Sequence, residues 1–243
     1  KGYQTTMKLG DNQQTFDNAI ELAKKTSPTK EYIVERFIDG DLYSHNAFLK
    51  NQTAIKNFFV KENSTANSFV VDTSRVIFNP PSKMQQQIID AVEKLAQYLN
   101  LKDGLIHSQF IWDGSKAYLI DRKRAIAGDL YSRLIELSTG YPFVENYVRP
   151  FLGMSYRDAE NPNIRVPIMR HTVSVSKDQN FNHIHYKKSL FLESWVALSS
   201  VGDQLKPSPD SRVGILFARA KSQAELLTLY ETTIRRQLYD VAD

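Results

Sequence analysis

The chain has 243 residues, 42% of them hydrophobic and 24% charged, which is an ordinary globular composition and enough for one large domain or a domain and a half. Lys and Arg number 31 against 27 Asp and Glu, a net charge of +4 with no long basic run, so nucleic acid is not an expected partner while an anionic ligand is compatible. The absence of cysteine excludes disulfide frameworks, thiolate metal sites and cysteine nucleophiles. No apolar run reaches the roughly 18 residues needed to span a bilayer, and no signal peptide is visible, so no membrane partner is expected and the cytoplasm is the expected compartment.

Residues 2–9 read as a short strand. Thr15 is placed to cap a helix to about Lys25, with Phe16, Ala19, Ile20 and Ala23 on one face. Strands follow at about 32–38, 42–49, 55–60 and 69–77, where aromatic and β-branched residues are prominent. Pro80-Pro81 breaks the sheet, and Ser82-x-x-Gln85 reads as a capping box. The helix it opens carries the stripe Met84, Ile88, Val92, Leu95 and Leu99. Leu105–Trp112 and Ala117–Arg122 read as a hairpin around the Asp113-Gly114 turn signal. Asp129 is placed to cap a helix to about Ser138, stopped by Thr139-Gly140-Tyr141-Pro142, and a short helix follows with Phe143, Tyr147 and Phe151. Gly153–Asn163 is polar and rich in turn formers, and marks a boundary between regions 1–153 and 154–243. Further strands are expected at 166–175, 183–186, 194–198 and 212–218, and Ser222-x-x-Glu225 caps a last helix. Helices alternating with short antiparallel strands define an α+β class.

Taken by spacing alone, Gln109 and Asp121 are outward polar positions on neighbouring strands, and alternation always supplies some of those. Two such oxygen groups can also converge on a hard cation such as Mg2+, which keeps water and phosphate as the rest of its shell. His183 and His185 alternate on a strand without a further ligand type nearby and read as surface residues. Arg165 and Arg170 suit a fork contact to a carboxylate or a solvated surface. There is no Walker A loop, no Gly-x-Gly-x-x-Gly and no Gly-x-Ser-x-Gly.

The stretch Gly104-Leu-Ile-His107-Ser-Gln109-Phe110, followed by Tyr118-Leu-Ile-Asp121-Arg-Lys-Arg-Ala-Ile-Ala-Gly-Asp129, resembles the metal-binding hairpin of the ATP-grasp superfamily. Tyr32-Ile-Val-Glu35-Arg-Phe-Ile-Asp-Gly40 resembles its hinge segment. The resemblance is carried mainly by residues 1–153. It implies an ATP-grasp fold with a small C-terminal module, and a chain that lacks its N-terminal domain. It implies an ATP- and Mg2+-dependent ligase that joins a carboxylate to an amine, or to a thiol, through an acyl phosphate. Small-molecule carboxylates and amines are then the partners, and a homodimer is allowed.

By the same resemblance, Gln109 and Asp121 are the Mg2+ ligands. The Glu35 side chain and the backbone at Arg36 and Ile38 hold adenine. Lys1 and Lys8 stand for the phosphate-binding lysines. Asp41 lies one residue from the usual acidic ribose ligand, a place taken here by Leu42, and so faces the wrong way for that role. His107 shares the Gln109 face and fits packing as well as catalysis. The chain departs from the pattern where the family has Asn and Arg after the acidic ligand; here those places hold Lys123 and Ala125. A cation at 123 opposes a second Mg2+, which implies one metal, with Lys123 or Arg124 contacting phosphate and Arg124 orienting the carboxylate. The other outcome is a degenerate nucleotide-binding or interaction protein.

Overall fold

The computed structural model describes residues 6–242. Two compact units divide between Asp39 and Gly40.

Among its described residues the first unit holds one helix, α1 (Gln13–Thr26). Asn12 caps it, its side-chain oxygen accepting from the Thr15 amide at 3.0 Å, so the cap lies three residues before the expected Thr15. The expected face of Phe16, Ala19, Ile20 and Ala23 lines a groove of about 640 Å³ within this unit. Residues 6–10 form no strand, and neither do residues 32–38. Tyr32-Ile33-Val34 favours extended backbone, but a strand needs a ladder partner. Among the described residues none pairs with this segment, and Ile33 is 86% exposed.

The second unit is built on an eight-stranded sheet. Its strands are β1 (Asp41–Lys50), β2 (Thr53–Asn63), β3 (Thr73–Ile77), β4 (Gly104–Trp112), β5 (Ala117–Lys123), β6 (Ile168–Val173), β9 (Phe191–Ala197) and β11 (Gly214–Arg219). Their order is β5-β4-β1-β2-β3-β6-β11-β9, with every neighbouring pair antiparallel. Short strands β7 (Gln179–Asn180) and β10 (Gln204–Leu205) pair with each other, as do β8 (His183–Tyr186) and β12 (Tyr239–Ala242). The helices are α2 (Ser82–Tyr98), α3 (Tyr131–Thr139), α4 (Phe143–Val148) and α5 (Gln223–Ile234). The class is α+β, as expected. Because β6 pairs with β3, residues after Gly153 extend the same sheet begun by residues 41–123.

Alternation gives the sheet two faces. On one, Phe48, Phe58, Val60, Ile215 and Phe217 pack with Leu134 and Ile135 of α3 and Phe143 of α4. On the other, Ala47, Leu49, Phe59 and Ile106 pack on Met84, Ile88 and Val92 of α2, while Met169, Leu216 and Ala218 pack on Leu226 and Tyr230 of α5. The expected α2 stripe is therefore buried or half-buried except for Leu99, which lies past the end of the helix and is exposed, as is Phe151 beyond the end of α4.

Two expected caps are different in the structure. Pro81, not Ser82, precedes α2, and the Gln85 amide donates to the Pro80 carbonyl at 2.8 Å. Before α3, Asp129 and Leu130 both adopt left-handed backbone, and Leu130 occupies the cap position. The Asp129 carboxylate is instead taken by Arg170 and Arg212. Ser222 caps α5 as expected, accepting from the Glu225 amide.

Candidate functional site

The hairpin β4–β5 is closed by Asp113, whose Oδ1 accepts from the Ser115 and Lys116 amides at 2.8 and 2.7 Å. Those bonds hold the Asp113 pKa down to about 2. The register then sets Gln109 directly opposite Asp121 and His107 opposite Lys123. A bulge between Gln109 and Phe110 leaves Ile120 as the extra residue of β5. Without it Asp121 would fall on the other face. All four side chains thus stand on one sheet face, the one covered further along by α3 and α4.

The same face continues across the sheet. Ser44 is opposite Gln109, and a second row runs Glu62–Ser74–Arg170 over β2, β3 and β6. Glu62 is 2% exposed. The Gln109 amide donates to its Oε2 at 2.8 Å, and Ser44 and Tyr131 also hydrogen-bond to it. Burial pushes the Glu62 carboxyl up despite those bonds. Tyr131, from the first turn of α3, reaches down to the Ser44 hydroxyl, and burial raises its phenol well above the usual range. Arg170 is fully buried, donating from Nε to the Asp129 carbonyl at 2.5 Å and from Nη2 to Thr172 Oγ1 at 2.8 Å. Glu62, His107, Gln109, Lys123, Asp129 and Arg170 line one cleft of about 270 Å³.

His107 Nδ1 pairs with Asn46 Oδ1 at 2.9 Å, which makes it the donor and leaves Nε2 as an acceptor. Burial, then the Lys123 charge, lower its pKa to about 4, so the ring is neutral at pH 7.

The other expected residues are distributed differently. Arg124 turns away from the cleft and donates to the Lys102 and Asp103 carbonyls at 2.7 and 3.2 Å, lying against Gly104. Asp41 faces the opposite side of the sheet and pairs with Lys61 at 2.5 Å. Lys8 sits 3.7 Å over the Phe37 ring, and Glu35 lines the groove of the first unit. Glu35 and Arg36 are exposed, with Ile38 half-buried. Lys1 lies outside the described residues. Arg165 is spent on the Pro162 and Ile164 carbonyls. Sequence reasoning passed over Glu62, and left Arg170 between a fork contact and solvated surface. The alternation of β2 was the one local signal for Glu62, since it sets Glu62 on the same face as the core residues Phe58 and Val60.

Gln109 and Asp121 supply neutral and charged oxygen, a hard donor set suited to Mg2+. Among the described residues no group of three or more His, Asp or Glu side chains is arranged to hold a metal ion by itself. That matches the way Mg2+ is held by one or two carboxylates plus substrate phosphate and water rather than by a closed protein cage. The residues present therefore fit that ion.

The buried histidines also set an acid limit on stability. Burial lowers His45 and His171 to about 4. Each is then protonated first in the unfolded chain, near its ordinary value of about 6.5. Their contribution is complete above that pH and is lost as pH falls toward 4. Glu62, with its raised value, works in the opposite sense above about 4.5. The two histidines outweigh the one carboxyl, so urea unfolding is expected to show stability falling as pH drops from about 6.5 toward 4.5. A flat profile across that window would contradict the burial of His45 and His171.

No family model matches the chain. Solved structures do. Phosphoribosylglycinamide synthetase from Anaerococcus prevotii superposes with a TM-score of 0.69 at 12% identity, over 97% of this chain and 63% of that one. L-amino acid ligase from Bacillus licheniformis gives 0.73 at 16%, over 96% and 61%. The biotin carboxylase domain of Hydrogenobacter thermophilus 2-oxoglutarate carboxylase, solved with MgADP, ADP and bicarbonate, gives 0.63 at 14%, over 94% and 52%. The chain has the ATP-grasp fold. It spans between half and two thirds of the length of these neighbours. No helix among the described residues is long and apolar enough to cross a membrane.

Proposed function

We propose that this chain is the catalytic part of an ATP-dependent ligase that joins a carboxylate to an amine, or to a thiol, by way of an acyl phosphate. The observation that carries this reading is the meeting of Gln109, Asp121 and Lys123 with buried Glu62 and Arg170 on one face of an ATP-grasp sheet. MgADP in the Hydrogenobacter neighbour supports a magnesium nucleotide as the ligand class. Asp121 and Gln109 would hold Mg2+, which when bound neutralises charge on the transferred phosphoryl group. Lys123 would place an ammonium against a phosphate oxygen. Arg170, held rigid by Asp129 and Thr172, offers a fixed positive charge for the acceptor carboxylate. Arg124, tied to the Lys102 and Asp103 carbonyls, is not part of this assignment.

Adenine is assigned to the Glu35 side chain and the backbone of Arg36 and Ile38 on the hinge-like pattern alone, and the phosphate role of Lys8 on its position in that pattern. Glu35→Ala is expected to weaken ATP binding by about 1–3 kcal/mol, the worth of a lost hydrogen bond to a buried partner. Isothermal calorimetry with ATP reads that change, and an unaltered Kd would remove Glu35 from the site. Small carboxylates and amines are the proposed partners and the cytoplasm the proposed setting; a homodimer is compatible.

A second reading is a nucleotide-binding or interaction protein without turnover. It is favoured by Lys123 and Ala125, which replace the Asn and Arg of the family pattern. ATP consumption, measured with pools of small carboxylates and amines, separates the two. Stimulated, Mg2+-dependent ADP release supports the ligase. ATP binding without consumption supports the second reading, and no ATP binding at all contradicts both nucleotide roles.

A further inference from the structure

We propose that a second cleft of the Gly40–Asp243 unit, on the sheet face opposite Gln109, binds a small phosphate-bearing anion. Strand β6 separates the two clefts. Arg170 pairs across with Ser74 on the first face, and the next residue, His171, pairs with Thr73 on the other. His171, Ser174, Lys177, Arg236 and Tyr239 line this second cleft, of about 340 Å³. That is within the range of small-ligand sites.

Its floor is a fixed chain of hydrogen bonds. Asp72 Oδ2 accepts from the Thr65 amide, the Thr65 hydroxyl and the Ala66 amide. Its Oδ1 accepts from the Thr73 hydroxyl at 2.8 Å. Thr73 has only one proton, so its oxygen must accept from His171 Nδ1 at 2.7 Å. His171 Nε2 is then an acceptor and takes the Tyr239 hydroxyl proton at 2.8 Å. The chain Tyr239–His171–Thr73–Asp72 is thereby fully committed, with every donor spent inward.

The remaining donors are not spent. Among the described residues the Lys177 and Arg236 side chains have no ion pair or hydrogen bond, and neither does the Ser174 hydroxyl, although Ser174 is only 4% exposed. The Ser174 oxygen is not among the buried unpartnered atoms, so it opens onto the cleft and is available to a ligand or to water. Asp240, the one carboxylate on the lining, is held by Lys187 at 2.8 Å. Arg236 follows the end of α5 with φ 57, a left-handed conformation ordinarily left to glycine or asparagine. The chain thus accepts a strained backbone at a residue whose charge is felt by both His171 and Tyr239. Two unpaired cations with a free hydroxyl select a ligand made of acceptors and carrying more than one negative charge, which is a phosphate group. This inference does not rest on the reading of the first cleft.

The test is an amide chemical-shift titration of the full chain with inorganic phosphate at constant ionic strength. Saturable shifts are expected at Ser174–Lys177 and Arg236–Tyr239. The double variant K177A/R236A, altered at exposed side chains, is expected to weaken those shifts at least tenfold while its thermal unfolding stays unchanged. Lys123→Ala is expected to leave them intact, because it lies at the other cleft. No saturable shift in these amides, shifts confined to the first cleft, or shifts that survive in the double variant would each overturn the proposal.

Discussion

Asp121→Asn is expected to abolish Mg2+-dependent ATP turnover while leaving the fold intact. Asp121 is the only carboxylate of β5 and is exposed, with no ion pair among the described residues. Its loss should therefore move stability by no more than about 0.5 kcal/mol, the usual range for an exposed site. Gln109 alone offers a neutral oxygen, so the anionic part of the donor set disappears. Steady-state ADP release and a thermal melt of the same sample check both halves. Turnover equal to that of the unaltered chain would refute the assignment. Gln109→Glu looks harmless on the family pattern, since Glu is the commoner ligand. Here it would set a second carboxylate at hydrogen-bond distance from Glu62. One of the two must then stay protonated, so this change is expected to raise the Mg2+ concentration needed rather than be neutral.

Lys123→Ala is expected to lower kcat by roughly 2–4 kcal/mol of transition-state stabilisation, the typical cost of one preorganised donor. Lys123 lies on the cleft face opposite His107 and reaches no carboxylate among the described residues, so its charge is available to a ligand. Lys123→Asn is expected to keep more activity than Lys123→Ala and to add a second power to the Mg2+ dependence, because it removes the repulsion and supplies an oxygen. Single-turnover ADP formation against Mg2+ concentration separates these cases. Equal rates for all three proteins, at the level of buffer, would leave no ligase to explain.

The parts of this site that were legible in the sequence are those that depend on neighbours in the chain. The Asp113-Gly114 turn and the alternation on either side of it place Gln109 against Asp121, and Ser222 caps α5 as its spacing requires. The parts that were not legible depend on distant partners. Glu62 carries no local mark of function, yet it is buried because Gln109 on β4 and Tyr131 on α3 close over it. Asp129 reads as a helix cap, yet Arg170 and Arg212, some 40 and 80 residues further along, pair with its carboxylate instead. Residues 32–38 have strand composition but find no strand to pair with. Asp41 sits one position off the cleft face and strand alternation turns it away, while Arg124, just past the end of β5, is drawn to the Lys102 and Asp103 carbonyls.

The most direct measurement for the central claim is paramagnetic broadening of amide resonances by Mn2+, a stand-in for Mg2+, with and without ATP. With ATP present, the account predicts selective loss of signals from residues 107–111 and 119–124, little effect on Ser174–Lys177, and loss of the broadening in Asp121→Asn. Broadening centred elsewhere, or unchanged in Asp121→Asn, would contradict it.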